Sequence, residues 1–405
     1  MKKHNEKLDA GRLKLTSFVA FLMGFSQAVL AVIMSAYFVT ASGTQNVGFF
    51  YAFPYLIFLV ILLNLHKFVR TLGKANVFYF SLLAKIIGIV FLTLNQPSKL
   101  GAVLLMFYMI MGQIEWVALD VIIEGFSVDR MSGRIRGLNL TIMNAGYLFG
   151  PFVAAYVMSN MGFQGVFIFS LIFNSFVLIF ALIGFRQVNH RFEQKLKVVD
   201  ILRKALARKN IMRIYYISFV LEFFYTLMVI YSPIYLLNLG YSWENIGLIF
   251  TAMLVPFVLL QYPAGYLADK KMGEKELLIV AIMIMAVSTV TIYYVGTGTV
   301  LIWAIVLFAT RIGAALIEIL RDSYFFKRID AGDVDMIHFF RTAIPMAVIA
   351  SSVLSSFMLF VLPIKSVFLL IGAVVLSALY PAFKLVDNKC EAEVRITTEK
   401  VLSEA

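Results

Sequence analysis

Six carboxylates sit inside long apolar runs of this 405-residue chain: Glu115, Asp120, Glu124, Glu222, Glu318 and Asp322. Four bases share that setting, namely Lys85, Arg311, Arg321 and Arg341. Groups of this kind can carry protons, anchor a charged solute or pair with one another. A carboxyl buried without a fixed cation favours its protonated form and can exchange a proton near neutral pH. A charge at mid-bilayer costs at least about 2.5–3.5 kcal/mol, so these side chains have to face protein or water. Glu222 lies 11 residues into its run and Arg311 12 residues into its own. At 1.5 Å per residue each is about 16–18 Å deep, near the midplane, and Glu115 is comparably deep from the other side. Arg311 and Glu318 are seven residues apart, while Asp120/Glu124 and Glu318/Asp322 are four apart, so each pair shares a helix face. For Asp120, Glu124, Glu318, Arg321, Asp322 and Arg341 an ion-pair gate at the helix ends is the competing reading. Lys85 can pair with Glu115 or Asp120, or snorkel to the interface, and the sequence leaves all three open. Gln27 and Gln261 are candidates to line the same path. Phe223, Phe224, Tyr225 and Tyr231 flank Glu222, where core packing is the plainer role.

The elements that position these groups are set by composition, which is 61% hydrophobic and 14% charged. A soluble domain carries about 25% charged residues, so this chain is read as an all-α integral membrane protein. Twelve apolar runs are long enough to cross about 30 Å of hydrocarbon. They fall near residues 15–41, 46–66, 76–95, 101–127, 137–158, 163–185, 211–237, 244–267, 277–296, 299–323, 336–361 and 366–386. The first is too long for a cleaved secretory segment and is expected to be retained. Of 35 Lys and Arg, 29 fall in the tails, in the loops after even-numbered runs or, for Arg213 and Lys384, at the run ends beside them, against two, Lys99 and Lys365, in loops after odd-numbered ones. That asymmetry predicts cytoplasmic termini in a cell membrane. It also makes the net charge of +12 an orientation signal, so no nucleic-acid partner is expected. Cys390 stands alone and there are four His, so neither a metal site nor a cofactor is predicted. No P-loop, nucleotide-binding Gly cluster or nucleophile–His pairing appears, and enzyme activity is not expected.

The longest connection, Arg186 to Arg213, carries nine basic residues and separates two six-span halves. The expected division is 1–186, a basic linker 187–210, 211–388 and a tail 389–405. Val198, Val199, Leu202 and Leu206 recur at helical spacing in the linker, as in an amphipathic helix along the headgroups. A shift of 198 residues places Asp120 on Glu318, Glu124 on Asp322 and Arg130 on Arg328, and a shift of 200 places Arg70 on Lys270 and Gly73 on Gly273. These matches indicate two bundles related by a pseudo-two-fold axis, with a cleft between them.

The turn after the eighth run contains Gly265, Asp269, Lys270 and Gly273, spaced in a way that resembles the loop signature of the major facilitator superfamily. It departs by one extra residue before the second Gly and by Glu274 where a base is usual. The first-half turn has Val69 where an acid belongs. In the fifth run, Gly137, Gly146, Gly150 and Pro151 followed by Ala154 and Ala155 resemble the antiporter-associated motif of that superfamily, with Ala in place of its last two Gly. Small residues at that spacing permit close helix crossing, and Pro151 can bend the span. The resemblance implies a twelve-helix secondary transporter of a small solute, with a pathway lined by spans one, four, seven and ten. Proton coupling through Glu115 and Glu222, Arg311 as solute anchor or modulator, and Asp269 with Lys270 as a conformational latch follow as expectations. Export by exchange is expected, from a monomer. Uptake of a metabolite or anion, and a transporter-like sensor without flux, are the alternatives.

Overall fold

The structure, a computed structural model, describes residues 10–124, 132–185, 198–329 and 334–386. Arg130, the first part of the linker (187–197) and the tail 389–405 with Cys390 lie outside the described residues, as do the side chains of Glu124, Asp269, Val198 and Val199. The described residues are helical, with no strand among them. In chain order the helices are α1 Ala10–Ser42, α2 Gly48–Leu72, α3 Lys74–Leu94, α4 Lys99–Glu124, α5 Ser132–Gly184, α6 Val198–Ala207 and α7 Lys209–Asn238. They continue as α8 Trp243–Leu267, α9 Lys275–Tyr294, α10 Val300–Lys327, α11 Val334–Arg341, α12 Ala343–Met358, α13 Ser366–Ser377 and α14 Leu379–Lys384. Helices are the solution that satisfies every backbone polar group inside such apolar runs.

Ten stretches among the described residues are long and apolar enough to cross a membrane. One of them, Ala145–Gly184, has 40 residues, which at 1.5 Å per residue is about 60 Å, two crossings. With the shorter apolar Gly48–Asn64, this accommodates the twelve runs of the sequence. The two crossings of α5 meet at Gly162, whose φ of 63° and ψ of −163° are non-helical. Pro151 stays inside helical backbone, and the break at Gly162 falls between the fifth and sixth runs of the sequence, 137–158 and 163–185.

Two compact units are formed, one within Met1–Lys195 and Leu236–Thr251, the other within Leu196–Tyr235 and Ala252–Ala405. In the first, α5 packs on α1 and α3, and α4 on α3, α2 and α1. Its core gathers Leu22, Phe58, Phe78, Leu82, Ile114 and Val177 from five helices. The α3 helix shows how a span divides its faces: Phe80, Leu83, Ile87 and Phe91 are exposed, while Phe78, Leu82, Lys85 and Ile89 are buried. That is a lipid-suited apolar face opposite a packed one, and Lys85 is on the packed side. In the second unit α9 packs on α10, α13 and α14, and α6 on α11. The α6 helix buries Ile201 and Ala205 and exposes Leu202 and Leu206.

The turns after α2 and α8 carry the repeat in their backbones. Gly73 has φ 85° and ψ 150°, and Gly273 has φ 75° and ψ −180°. Only glycine occupies that region without strain. Gly273 also donates its N–H to Ala268 O at 3.0 Å, closing the π-helical turn Ala268–Met272. Gly265, in contrast, has no positive φ, and a Cβ there would make an ordinary 3.5 Å contact with Ile319. Gly273→Ala is therefore expected to cost about 1–3 kcal/mol and lower the thermal midpoint of the detergent-solubilised protein. Gly265→Ala should leave that midpoint within a degree or two.

Candidate functional site

The ionisable groups resolve into one cluster in each unit. In the second unit, Ser218, Glu222 and Tyr225 recur every three or four residues and so share a face of α7. Their side chains bond to a face of α10. Arg321 Nη2 meets Glu222 Oε1 at 2.9 Å, Arg321 Nη1 donates to Ser218 Oγ at 2.7 Å, and Arg321 Nε lies 3.4 Å from Asp322 Oδ1. Arg321 is thus a hub with two carboxylates and a hydroxyl. Nearly three turns of helix before it, Arg311 is differently placed. It is 3% exposed, and its guanidinium carbon lies 5.0 Å from the Phe224 ring centroid and 5.5 Å from that of Tyr225. No described residue accepts a hydrogen bond from its Nε or Nη1. A buried donor left unmet costs about 1–3 kcal/mol.

Glu318 stands between these two arginines on the same helix. Its Oε2 accepts from Tyr225 OH and from Gln261 Nε2 of α8, both at 3.2 Å, and both are neutral donors. Tyr225 therefore touches the two residues at once, ring against Arg311 and hydroxyl against Glu318.

In the first unit the cluster is centred on α4. Glu115, fully buried, pairs with Lys85 of α3, which settles the three-way choice left open for that lysine. Glu115 Oε1 has no hydrogen-bond partner among the described residues, and Lys85 Nζ lies 5.8 Å from the Tyr108 ring centroid. Trp116 Nε1 donates to Gln27 Oε1 of α1, and Gln113 Nε2 donates to Tyr55 OH of α2 at 3.1 Å. Ser26 of α1 meets Ser170 at 3.0 Å and accepts from Asn174 Nδ2 at 2.7 Å, both on α5. Asp120 is half-buried one turn on from Trp116.

Of the residues singled out from the sequence, Glu222, Arg311 and Glu318 come together in one cluster, while Glu115 and Gln27 are joined through successive residues of α4. None of Glu115, Glu222 and Arg311 faces outward; even the least enclosed of them, Glu222, has a side chain only 14% exposed. A search by charge passed over Ser218, Gln113, Tyr55, Trp116 and the Ser26–Ser170–Asn174 group, because neutral polar residues are common in any helix. It also passed over Lys74, and Glu274 stood out only as a departure from the loop signature; each directly follows a positive-φ glycine and each is buried. Lys74 Nζ donates to Val121 O of α4 at 3.4 Å, whereas Glu274 accepts from Lys327 Nζ at 2.6 Å and Ser323 Oγ at 2.8 Å of α10. Glu274, the departure from the loop signature, is a structural anchor. Lys270 is exposed, its Nζ 4.8 Å from the Tyr266 ring centroid.

The small residues of α5 make close contacts. A Cβ on Gly146 would stand 2.7 Å from Phe21 O and 3.0 Å from Phe25 N of α1, and one on Gly150 would collide with Ala28. Buried Ala155 and Pro151 O instead face Gly247 of α8. Gly137 lies in the first turns of α5.

The sequence model of the Major Facilitator Superfamily matches residues 16–332. No curated protein matches the sequence. Among solved structures, the chain is similar to the one described as "In meso crystal structure of the POT family transporter PepTSo". The TM-score is 0.71 at 10% identity, covering 93% of this chain and 97% of that one. At that identity the likeness is one of fold.

Removing one partner of a buried ion pair leaves an uncompensated charge, at a cost of about 3–5 kcal/mol. Lys85→Met should therefore lower the thermal midpoint sharply, and adding Glu115→Gln to it should restore most of the loss. A double variant no more stable than the single one would refute this assignment of the pair.

Proposed function

This chain belongs to the Major Facilitator Superfamily, a family of multi-pass membrane transport proteins, and from that premise we propose that it is a proton-coupled secondary transporter of a small organic solute. What carries the reading is Glu318. It is enclosed in a helix long enough to span the bilayer, yet its bonded partners are the neutral Tyr225 and Gln261. A carboxyl held by neutral donors can lose and regain a proton without breaking an ion pair. Glu222 and Glu115, the carriers first suggested by depth, each have a basic partner, Arg321 and Lys85. We therefore place Glu318 first, with Glu222 next to it as the group that passes the proton on through the shared face of α7 and α10. Glu115, Asp120 and Gln27 serve the corresponding path in the first unit.

With no P-loop in the sequence, a proton gradient is the energy source this reading requires. The α5 motif supports export by exchange, because Gly146 and Gly150 let α1 and α5 cross at a distance no larger residue allows. Asp269, Lys270 and Gly273, closing the turn after α8, act as the latch of one conformation. The termini are placed in the cytoplasm and the protein in the cell membrane by the Lys and Arg distribution, with a single copy as the working unit. Uptake of an anionic metabolite is the second reading, favoured by the unmet donors of Arg311.

The test is proton movement in liposomes. Solute-driven change of an entrapped pH dye should fall to the level of empty vesicles in Glu318→Gln, whose amide oxygen still accepts from Tyr225 and Gln261. Glu222→Gln should reduce it at least tenfold with the thermal midpoint little changed. Unaltered coupling in both variants would remove this cluster from the proton path.

A further inference from the structure

We propose that Arg311, walled by Phe224 and Tyr225, binds the carboxylate of a small monoanion with an apolar body. The inference deepens the transport reading above and rests on it for its biological sense, although the binding itself needs no gradient.

Three observations converge on this chemistry. The guanidinium is buried to within 3% of full enclosure, yet Nε and Nη1, which together carry three N–H donors, have no acceptor among the described residues. Every other described base inside the spans is answered. Lys85 pairs with Glu115, Arg321 with Glu222 and Asp322, and Arg341 has interactions of its own. An arginine without an acidic partner, at mid-depth in a span, is arranged for an acid that arrives from outside the chain. The planar fork of donors suits a carboxylate, which can accept two of them side by side.

The second observation limits the charge. Glu318 lies on the same face of α10, seven residues on, and Glu222 and Asp322 lie beyond it. These groups repel anions, and the one further arginine of the cluster, Arg321, is already engaged by Ser218, Glu222 and Asp322. One unanswered cation facing three carboxylates accommodates a monoanion and disfavours a dianion such as phosphate.

The third observation concerns the body of the ligand. Phe224 is fully buried and its ring centroid lies 5.0 Å from the guanidinium carbon, with Tyr225 at 5.5 Å. These rings stand against the guanidinium and give it an aromatic wall. Solute sites combine this kind of apolar lining with a few placed polar groups. A compound with a carboxylate at one end and an apolar or aromatic body at the other meets both.

Benzoate is the probe, with its uncharged analogue benzamide, its charge-reversed analogue benzylammonium and the dianion terephthalate as comparisons. The full chain in detergent is titrated at constant pH and ionic strength, with binding read by calorimetry and by the shift in thermal midpoint. Saturable binding of benzoate is expected, at least tenfold tighter than that of the three analogues. This comparison uses the unmodified protein and so does not depend on a variant folding. Arg311→Gln should abolish benzoate binding, and Arg311→Lys should weaken it at least tenfold, because an ammonium lacks the planar donor fork. Tyr225→Phe, which keeps the ring, should retain it. Absent benzoate binding, benzamide or terephthalate binding equally well, or unchanged affinity in Arg311→Gln would each overturn the proposal. Benzoate binding without proton movement in liposomes would uphold it and count against the coupling assigned to Glu318. Proton-coupled movement of benzylammonium with no benzoate binding would do the reverse.

Discussion

Taking an ionised group out of water costs several kcal/mol per ion even after the surroundings relax, and here that demand falls hardest on α10. Arg311, Glu318, Arg321 and Asp322 lie within twelve consecutive residues of that helix. The neighbouring helices answer them unequally. Ser218 and Glu222 from α7 engage Arg321, Tyr225 and Gln261 engage Glu318, and Phe224 and Tyr225 offer Arg311 only their rings. The result is a gradient along one helix face, from an arginine paired with two carboxylates, through a carboxylate held by neutral donors, to an arginine held by π-clouds. Stability is concentrated at the Arg321 end and chemical opportunity at the Arg311 end.

Much of this was legible in the sequence, and the reasons differ by feature. The spans were legible because length and hydropathy alone distinguish a crossing helix, and the superfamily first suggested by resemblance is the one whose sequence model matches residues 16–332. That Glu115, Glu222 and Arg311 point inward was legible because the bilayer leaves no other option. The partner of Lys85 was not. Glu115 and Asp120 are five residues apart, about 140° around the helix, and nothing local says which of the two directions faces α3. The interruption of the eleventh span at Thr342, between α11 and α12, is marked locally only by Pro345 in the first turn of α12, and hydropathy alone runs straight through it. The neutral hydrogen bonds of Gln113, Ser26 and Asn174 carry no signal above the background of polar residues.

The two halves agree in backbone and differ in chemistry. Gly73 and Gly273 adopt the same positive-φ conformation at corresponding positions, which is a firmer mark of duplication than any of the charge alignments. The residue that follows is inverted in sign, Lys74 in one half and Glu274 in the other, and each has found a different answer. The lysine reaches a backbone carbonyl near the end of α4, where the helix dipole favours a cation. The glutamate reaches Lys327 and Ser323 near the end of α10. A duplicated turn has kept its geometry while the residue after its glycine changed sign.

Gly162 joins two crossings of α5 through one residue in place of a loop. A single pair of dihedral angles thus fixes the angle at which one crossing hands over to the next, with no slack chain to absorb a change. Any tilt of the first arm is transmitted to the second as through a bent rod, and the rim of the protein at that point offers proteases and insertions very little to work on.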